Sequence, residues 1–164
     1  MKTEISAVLV AAGASTRMGF DKLSVDLGGE TVLHRSIRAF AQCPQVDEIV
    51  LVAGKNRAFV EAQAADCKKP VQIVTGGATR AESAKNGVLA ARGTLVAVHD
   101  AARPFVSAAV IEAVLDAAKQ CGAAAPAVPV KDTVKQAVRG DGKTVPADCR
   151  VENTPDRSTL YAVQ

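Results

Sequence analysis

Continuous apolar runs rich in β-branched residues alternate with stretches of helical period along most of this chain. ISAVLVA (Ile5–Ala11), EIVLVA (Glu48–Ala53), VQIVT (Val71–Thr75) and the run TLVAVH, stopping at His99, read as four strands. Their apolar residues are consecutive rather than alternating, as expected of strands covered on both faces. Helical period follows each one. In TVLHRSIRAFAQC, the residues Val32, Ile37, Ala39 and Phe40 share a face, with Thr31 placed to cap the start. Further helices are expected over about 56–65, 79–91 and 107–120, and GAAAPAVPV reads as a fifth, proline-interrupted strand. Strand–helix alternation predicts an α/β fold: a mostly parallel sheet with helices on both faces. Right-handed crossovers then bring the carboxyl ends of the strands to one edge, where ligands of such sheets bind. Ala11-Ala12-Gly13, Gly76-Gly77 and His99-Asp100 occupy that edge.

The texture changes after Val130. KDTVKQAVRGDGKTVPADCRVENTPDRSTLYAVQ is polar, with Gly140-Asp141-Gly142 at a hairpin tip between TVKQAV and KTVPADCRV. A hairpin of this size has little core and is marginal alone in water, so it is expected to pack on a second copy of the chain. The final STLYAVQ reads as the start of another element, which gives the expectation of a C-terminally truncated protein. The expected organisation is a nucleotide-binding α/β core over 1–130, then a β-arm and the start of a return strand over 131–164, with part of the core absent.

Composition narrows the picture. The 164 residues suffice for one core, 48% are apolar, and with one Tyr and four Phe that core is Val, Ala and Leu. A net charge of +3 suits an anionic small molecule and is too weak and dispersed to indicate nucleic acid. Cys43, Cys67, Cys121 and Cys149 are widely spaced, without a C-x-x-C pair, so neither thiolate metal ligation nor a disulfide framework is expected. No run approaches the roughly 18 consecutive apolar residues of a membrane span. The first residues lack a basic segment followed by a long apolar stretch, so a cytoplasmic location is expected.

The loop after the first strand, AAGASTRMGFDK, carries the candidate chemistry. Ala11, Ala12 and Gly13 let a flat base or phosphate approach the backbone, and successive loop amides can form an anion nest. Arg17 and Lys22 add full positive charges. The spacing is neither that of a P-loop nor the G-x-G-x-x-G of a dinucleotide fingerprint. Taken alone, a tight turn with two solvated cations explains it equally well. HDAARP adds a carboxylate, Asp100, at the same edge, where Mg²⁺ binds through one or two carboxylates plus substrate phosphates. Arg103 reaches the same cleft from its place in the sequence. His99 reads as an orienting residue and not a base, and His34 as a surface or half-buried ring. No G-x-S-x-G elbow supports hydrolase chemistry.

AAGASTRMGFDK, GGATRAES, HDAARP and PVKDTVK together, in this order from Val8 to Gln164, resemble the 2-C-methyl-D-erythritol 4-phosphate cytidylyltransferases of the non-mevalonate isoprenoid pathway. The resemblance implies a Rossmann-like α/β sheet with a protruding β-arm that builds a homodimer. It implies transfer of CMP from CTP to 2-C-methyl-D-erythritol 4-phosphate, with release of pyrophosphate. Arg17 and Lys22 would stabilise charge on the α-phosphate, and Ala11, Ala12, Gly13, Gly77 and Ser83 would line the CTP site. Asp100 would hold Mg²⁺, Arg103 would face the polyol phosphate, and Thr133 and Arg157 would reach it from the arm. The pattern departs at Ala14-Ser15-Thr16, where glycine-rich or basic residues are usual, and at Asp21, where proline is usual. It also stops before a Thr-Pro-Gln segment and a later substrate-positioning lysine. Two alternatives stay open: a cytidylyltransferase for another polyol phosphate such as ribitol 5-phosphate, and a non-catalytic nucleotide-binding or dimerisation remnant.

Overall fold

In the computed structural model, which describes residues 4–13, 21–138 and 149–163, the four apolar runs form one parallel sheet. Strands β1 (Ile5–Ala11), β2 (Glu48–Ala53), β3 (Val71–Thr75) and β4 (Leu95–Asp100) lie in the order β3-β2-β1-β4. The first strand is central, with Leu9 opposite Leu51 on one side and His99 on the other. This register brings Ala11, Ala53 and Thr75 level at the carboxyl edge, with Asp100 opposite Val10.

Alternate residues of these strands feed two separate cores. Ala7, Leu9, Ile49 and Leu51 pack with α1 (Val32–Gln42), Val60 of α2 (Arg57–Gln63), and Ile111 and Leu115 of α4 (Ala108–Cys121). Val8, Val50 and Val52 face the other way and pack with Val74 and Ala90, the last residue of α3 (Arg80–Ala90). Both faces of the sheet are therefore covered, as the unbroken apolar runs require. Thr31 caps α1 by accepting from the His34 amide at 3.1 Å, and Leu33 and Ser36 complete its buried face. At the opposite, amino edge Glu48 is buried, accepting from Ser6 Oγ at 2.6 Å and from the Arg92 amide at 2.7 Å. Burial pushes its pKa up, but these bonds and the Arg92 guanidinium outweigh that and hold it below the ordinary value.

The chain divides into two compact units, Met1–Gly122 and Ala123–Gln164. Gly122, in the left-handed region at φ 85°, ends α4 and with it the first unit. The fifth run departs from expectation. β5 (Ala127–Pro129) is absent from the parallel sheet and pairs antiparallel with β8 (Tyr161–Val163). Pro126 and Pro129 cannot donate to a ladder, which disqualifies this segment from a central position. The unit boundary accordingly falls before Val130. β6 (Gln136–Val138) and β7 (Arg150–Asn153) form the expected antiparallel arm, with a bulge between Gln136 and Ala137. The expected tip, Gly140-Asp141-Gly142, lies outside the described residues. No described residue of the second unit is buried.

Candidate functional site

A cleft of about 900 Å³ opens at the carboxyl edge of the parallel sheet, and the loops after all four strands build its three walls. The first follows β1. Ala12 and Gly13 line the cleft, whereas the Ala11 side chain is buried in the α1-side core and does not, because strand alternation turns it inward. Arg17 lies outside the described residues. Lys22 opens a short 3-10 turn, Lys22–Ser24, capped by Asp21 accepting from the Leu23 amide at 3.0 Å, and Leu23 is buried beneath it. Asp21, the unexpected acid beside the lysine, thus has a local use: it fixes the turn that presents Lys22 to the cleft.

The second wall is held by close backbone approach. A Cβ on Gly54 would sit 2.8 Å from the Ala12 carbonyl oxygen, and one on Gly76 would sit 2.4 Å from the Ala12 Cβ. Asn56 joins the two strand ends: its carbonyl oxygen accepts from the Gly54 amide at 3.2 Å and its amide donates to the Ala11 carbonyl at 3.4 Å. Beyond Gly76, Ser83 is buried and accepts from the Gly77 amide at 3.0 Å. Thr79 and Glu82 form a reciprocal capping box, and Glu82 also accepts from the Ala78 amide at 2.7 Å. The wall is rigid because each of these amides already has its partner.

The third wall, at the end of β4, carries Asp100 and Arg103. His99 packs on Phe40 with ring centroids 5.0 Å apart, and its Nε2 donates to the Arg103 carbonyl at 3.1 Å. Burial holds its pKa below the ordinary 6.5, outweighing the opposite pull of that bond and of Asp100. A neutral ring spent on a backbone carbonyl agrees with orientation rather than base chemistry. The Arg103 amide donates to the Asp100 carbonyl at 2.9 Å, and Ser36 anchors the buried Ala101 between them. Asp100 Oδ1 receives both Arg80 Nε at 3.0 Å and Arg80 Nη2 at 2.6 Å, while Arg103 Nε lies 3.5 Å from Oδ2. These side chains are too exposed for the pairs to add more than about 1 kcal/mol to stability each. They set the electrostatics of the cleft instead.

Of the residues singled out by sequence, the cleft gathers Ala12, Gly13, Lys22, Gly77, Ser83, Asp100 and Arg103. Thr133 and Arg157 belong to the second unit, where Arg157 Nη1 donates to the Lys131 carbonyl at 2.8 Å. Sequence reasoning missed Arg80, Lys55 and Asn56, which also line the cleft. The signal for Arg80 was present in GGATRAES: a cation at the first position of a helix, against the helix dipole.

A parallel, doubly covered sheet with a cationic cleft at its carboxyl edge defines a Rossmann-like α/β protein. The sequence profile of the family described as IspD, 2-C-methyl-D-erythritol 4-phosphate cytidylyltransferase, matches residues 5–164. The chain belongs to this family. It is 46% identical over 161 residues to a bifunctional enzyme IspD/IspF of Anaeromyxobacter dehalogenans, covering 98% of this chain and 40% of that protein. It is 44% identical over 168 residues to the 2-C-methyl-D-erythritol 4-phosphate cytidylyltransferase of Symbiobacterium thermophilum, covering 100% of this chain and 67% of the relative. The crystal structure of 4-diphosphocytidyl-2C-methyl-D-erythritol synthase from Anaerococcus prevotii superposes with a TM-score of 0.82 at 28% identity, covering 100% of this chain and 69% of that one. The chain thus spans about two fifths of the bifunctional relatives and about two thirds of the monofunctional ones.

Proposed function

We propose that this protein transfers CMP from CTP to 2-C-methyl-D-erythritol 4-phosphate. The observation that carries the reading is the cleft itself: Lys22, Arg80 and Arg103 gather around Asp100 at the sheet edge, under walls of Ala and Gly, in a chain of this family. A phosphate oxygen of the polyol phosphate attacks the α-phosphorus of CTP in line. The new P–O bond forms as the bond to the β-phosphate bridge breaks, and pyrophosphate leaves. The nucleophile arrives ionised, so no general base is needed, and positioning with electrostatics supplies the rate. Lys22, with Arg17 by sequence, offsets the repulsion between two anions; a charge pair at about 4 Å is worth about 4 kcal/mol at an effective dielectric of 20. Ala12, Gly13, Gly77 and Ser83 line the nucleotide side, Arg103 takes the polyol phosphate, and Thr133 and Arg157 are the second unit's candidates for that same phosphate in a partner copy.

The donor set suits Mg²⁺, since the cleft holds the hard carboxylates Asp100 and Asp21, and one or two carboxylates are what such an ion takes when phosphates supply its other ligands. Asp21 is engaged in capping its own turn, which leaves Asp100 to hold the ion. When bound there it would neutralise phosphate charge. A homodimer formed through the arm is supported by the second unit having no buried residue among those described. No helix among the described residues is long and apolar enough to cross a membrane. A cytoplasmic site follows from the nucleotide substrate rather than from the fold. Pyrophosphate release assayed on the natural full-length protein tests the reading. Turnover with CTP and methylerythritol phosphate, exceeding that with ribitol 5-phosphate, is expected. Preference for ribitol 5-phosphate would reassign the acceptor, and no turnover with either would reduce the protein to a binding module.

A further inference from the structure

Arg80 contributes nothing to the start of its own helix. It is the first residue of α3, where the helix dipole disfavours a cation, and the Thr79–Glu82 capping box secures that helix start without it. Its side chain is 67% exposed and places two nitrogens on one oxygen of Asp100. A residue that breaks a local rule inside a cleft points to function. The two arginines that flank Asp100 differ in how they are held. The Arg103 backbone is fixed by its amide bond to the Asp100 carbonyl and by the His99 ring on its own carbonyl. Arg80 reaches across from another helix on a long exposed stem, and its pairing with Asp100 is of the weakly held surface kind.

A guanidinium and a divalent cation compete for the same Asp100 oxygens, and a triphosphate offers the displaced guanidinium a more highly charged partner. Resting on the nucleotide-binding reading above, we propose that Arg80 is an exchangeable counter-ion. It neutralises Asp100 in the nucleotide-free cleft and passes to the phosphates of the nucleotide when a divalent cation takes the carboxylate. The exchange keeps the Asp100 charge compensated before and after nucleotide entry, and it makes metal and nucleotide enter together.

The test uses Mn²⁺ as the probe on the nucleotide-free full-length protein, with binding followed by electron paramagnetic resonance. Arg80→Gln should tighten Mn²⁺ binding by roughly fivefold, the scale of losing one exposed competing pair. The gain should vanish in the Arg80→Gln, Asp100→Asn double variant, and Arg80→Lys, with the charge but not the fork, should fall between. In a calorimetric titration with Mn²⁺ at saturation, so that Asp100 is taken and Arg80 released, Arg80→Gln should weaken CTP binding. Unchanged or weakened Mn²⁺ binding in Arg80→Gln, with CTP still bound by the unmodified protein, would refute the exchange and leave the nucleotide reading intact. Failure of the unmodified protein to bind CTP would overturn both.

Discussion

Lys22 lines the cleft, whereas His99 lies in β4 beside Asp100, and the two contribute in different ways. Lys22 is carried on a turn whose rigidity comes from the Asp21 cap and the buried Leu23. In the proposed transfer its charge would lie where negative charge develops. Lys22→Ala should lower turnover by about 10²-fold, the scale of one lost electrostatic stabiliser, with CTP affinity changing less. Steady-state kinetics beside calorimetry checks this split. His99 acts through Arg103 and should register in stability. Its pKa is depressed by burial, so the unfolded chain binds the proton more readily. The His99 contribution is fully present above pH 6.5 and is lost as pH falls through its lower folded value. Asp47 and Glu48 are also depressed, but their losses begin only below 3.8 and 4.5. Denaturant unfolding between pH 7 and 5 should therefore show a fall in stability that His99→Gln removes. An unchanged slope in that variant would show the ring is not the titrating group.

Elements were more legible than contacts. The Ile5–Ala11 and Glu48–Ala53 runs announced buried strands because nearly every position is apolar, and Thr31 announced the start of α1 by its cap; Thr79 and Ser107 prove to cap α3 and α4 in the same way. Hidden from the sequence was how closely α3 crosses the sheet. Gly87 looks like an ordinary helix interruption, yet a Cβ there would lie 2.3 Å from Val8 Cγ1 and 2.8 Å from Val52 Cγ2. Both valines are fully buried, so neither has room to move aside. Alanine would gain about 1 kcal/mol in helix propensity, while overpacking costs about 1–3 kcal/mol. The second effect wins, and Gly87→Ala should destabilise the protein by about 1 kcal/mol or more, read as a lower denaturant midpoint. The same blindness to tertiary approach hid the partner of Arg80. Nothing local in GGATRAES says that the start of α3 faces the end of β4, twenty residues on, since only the strand order β3-β2-β1-β4 creates that meeting. The proline-broken β5 was misplaced for a related reason: its apolar run resembled a core strand, but missing amides sent it to pair with β8.

At the scale of the whole molecule, the first unit carries the buried core and the second carries none among its described residues. Ordering the second unit therefore calls for a surface it does not itself supply, and a second copy of the chain is the expected source. If the arm completes the neighbouring site, an Arg17→Ala subunit mixed with an Arg157→Ala subunit should recover activity, because some mixed dimers hold one intact composite site. Sedimentation of the full-length protein should show a dimer, and deletion of 133–151 should yield a monomer. No recovery despite demonstrated subunit exchange would place both residues in the same chain's site. The central claim, transfer of CMP onto the polyol phosphate, is tested most directly by phosphorus NMR. The full-length protein is given CTP and methylerythritol phosphate carrying oxygen-18 on its phosphate. A new diphosphate diester with the label in its bridge, formed in step with pyrophosphate, is the expected result. CMP and pyrophosphate appearing without the diester, or a diester with an unlabelled bridge, would contradict it.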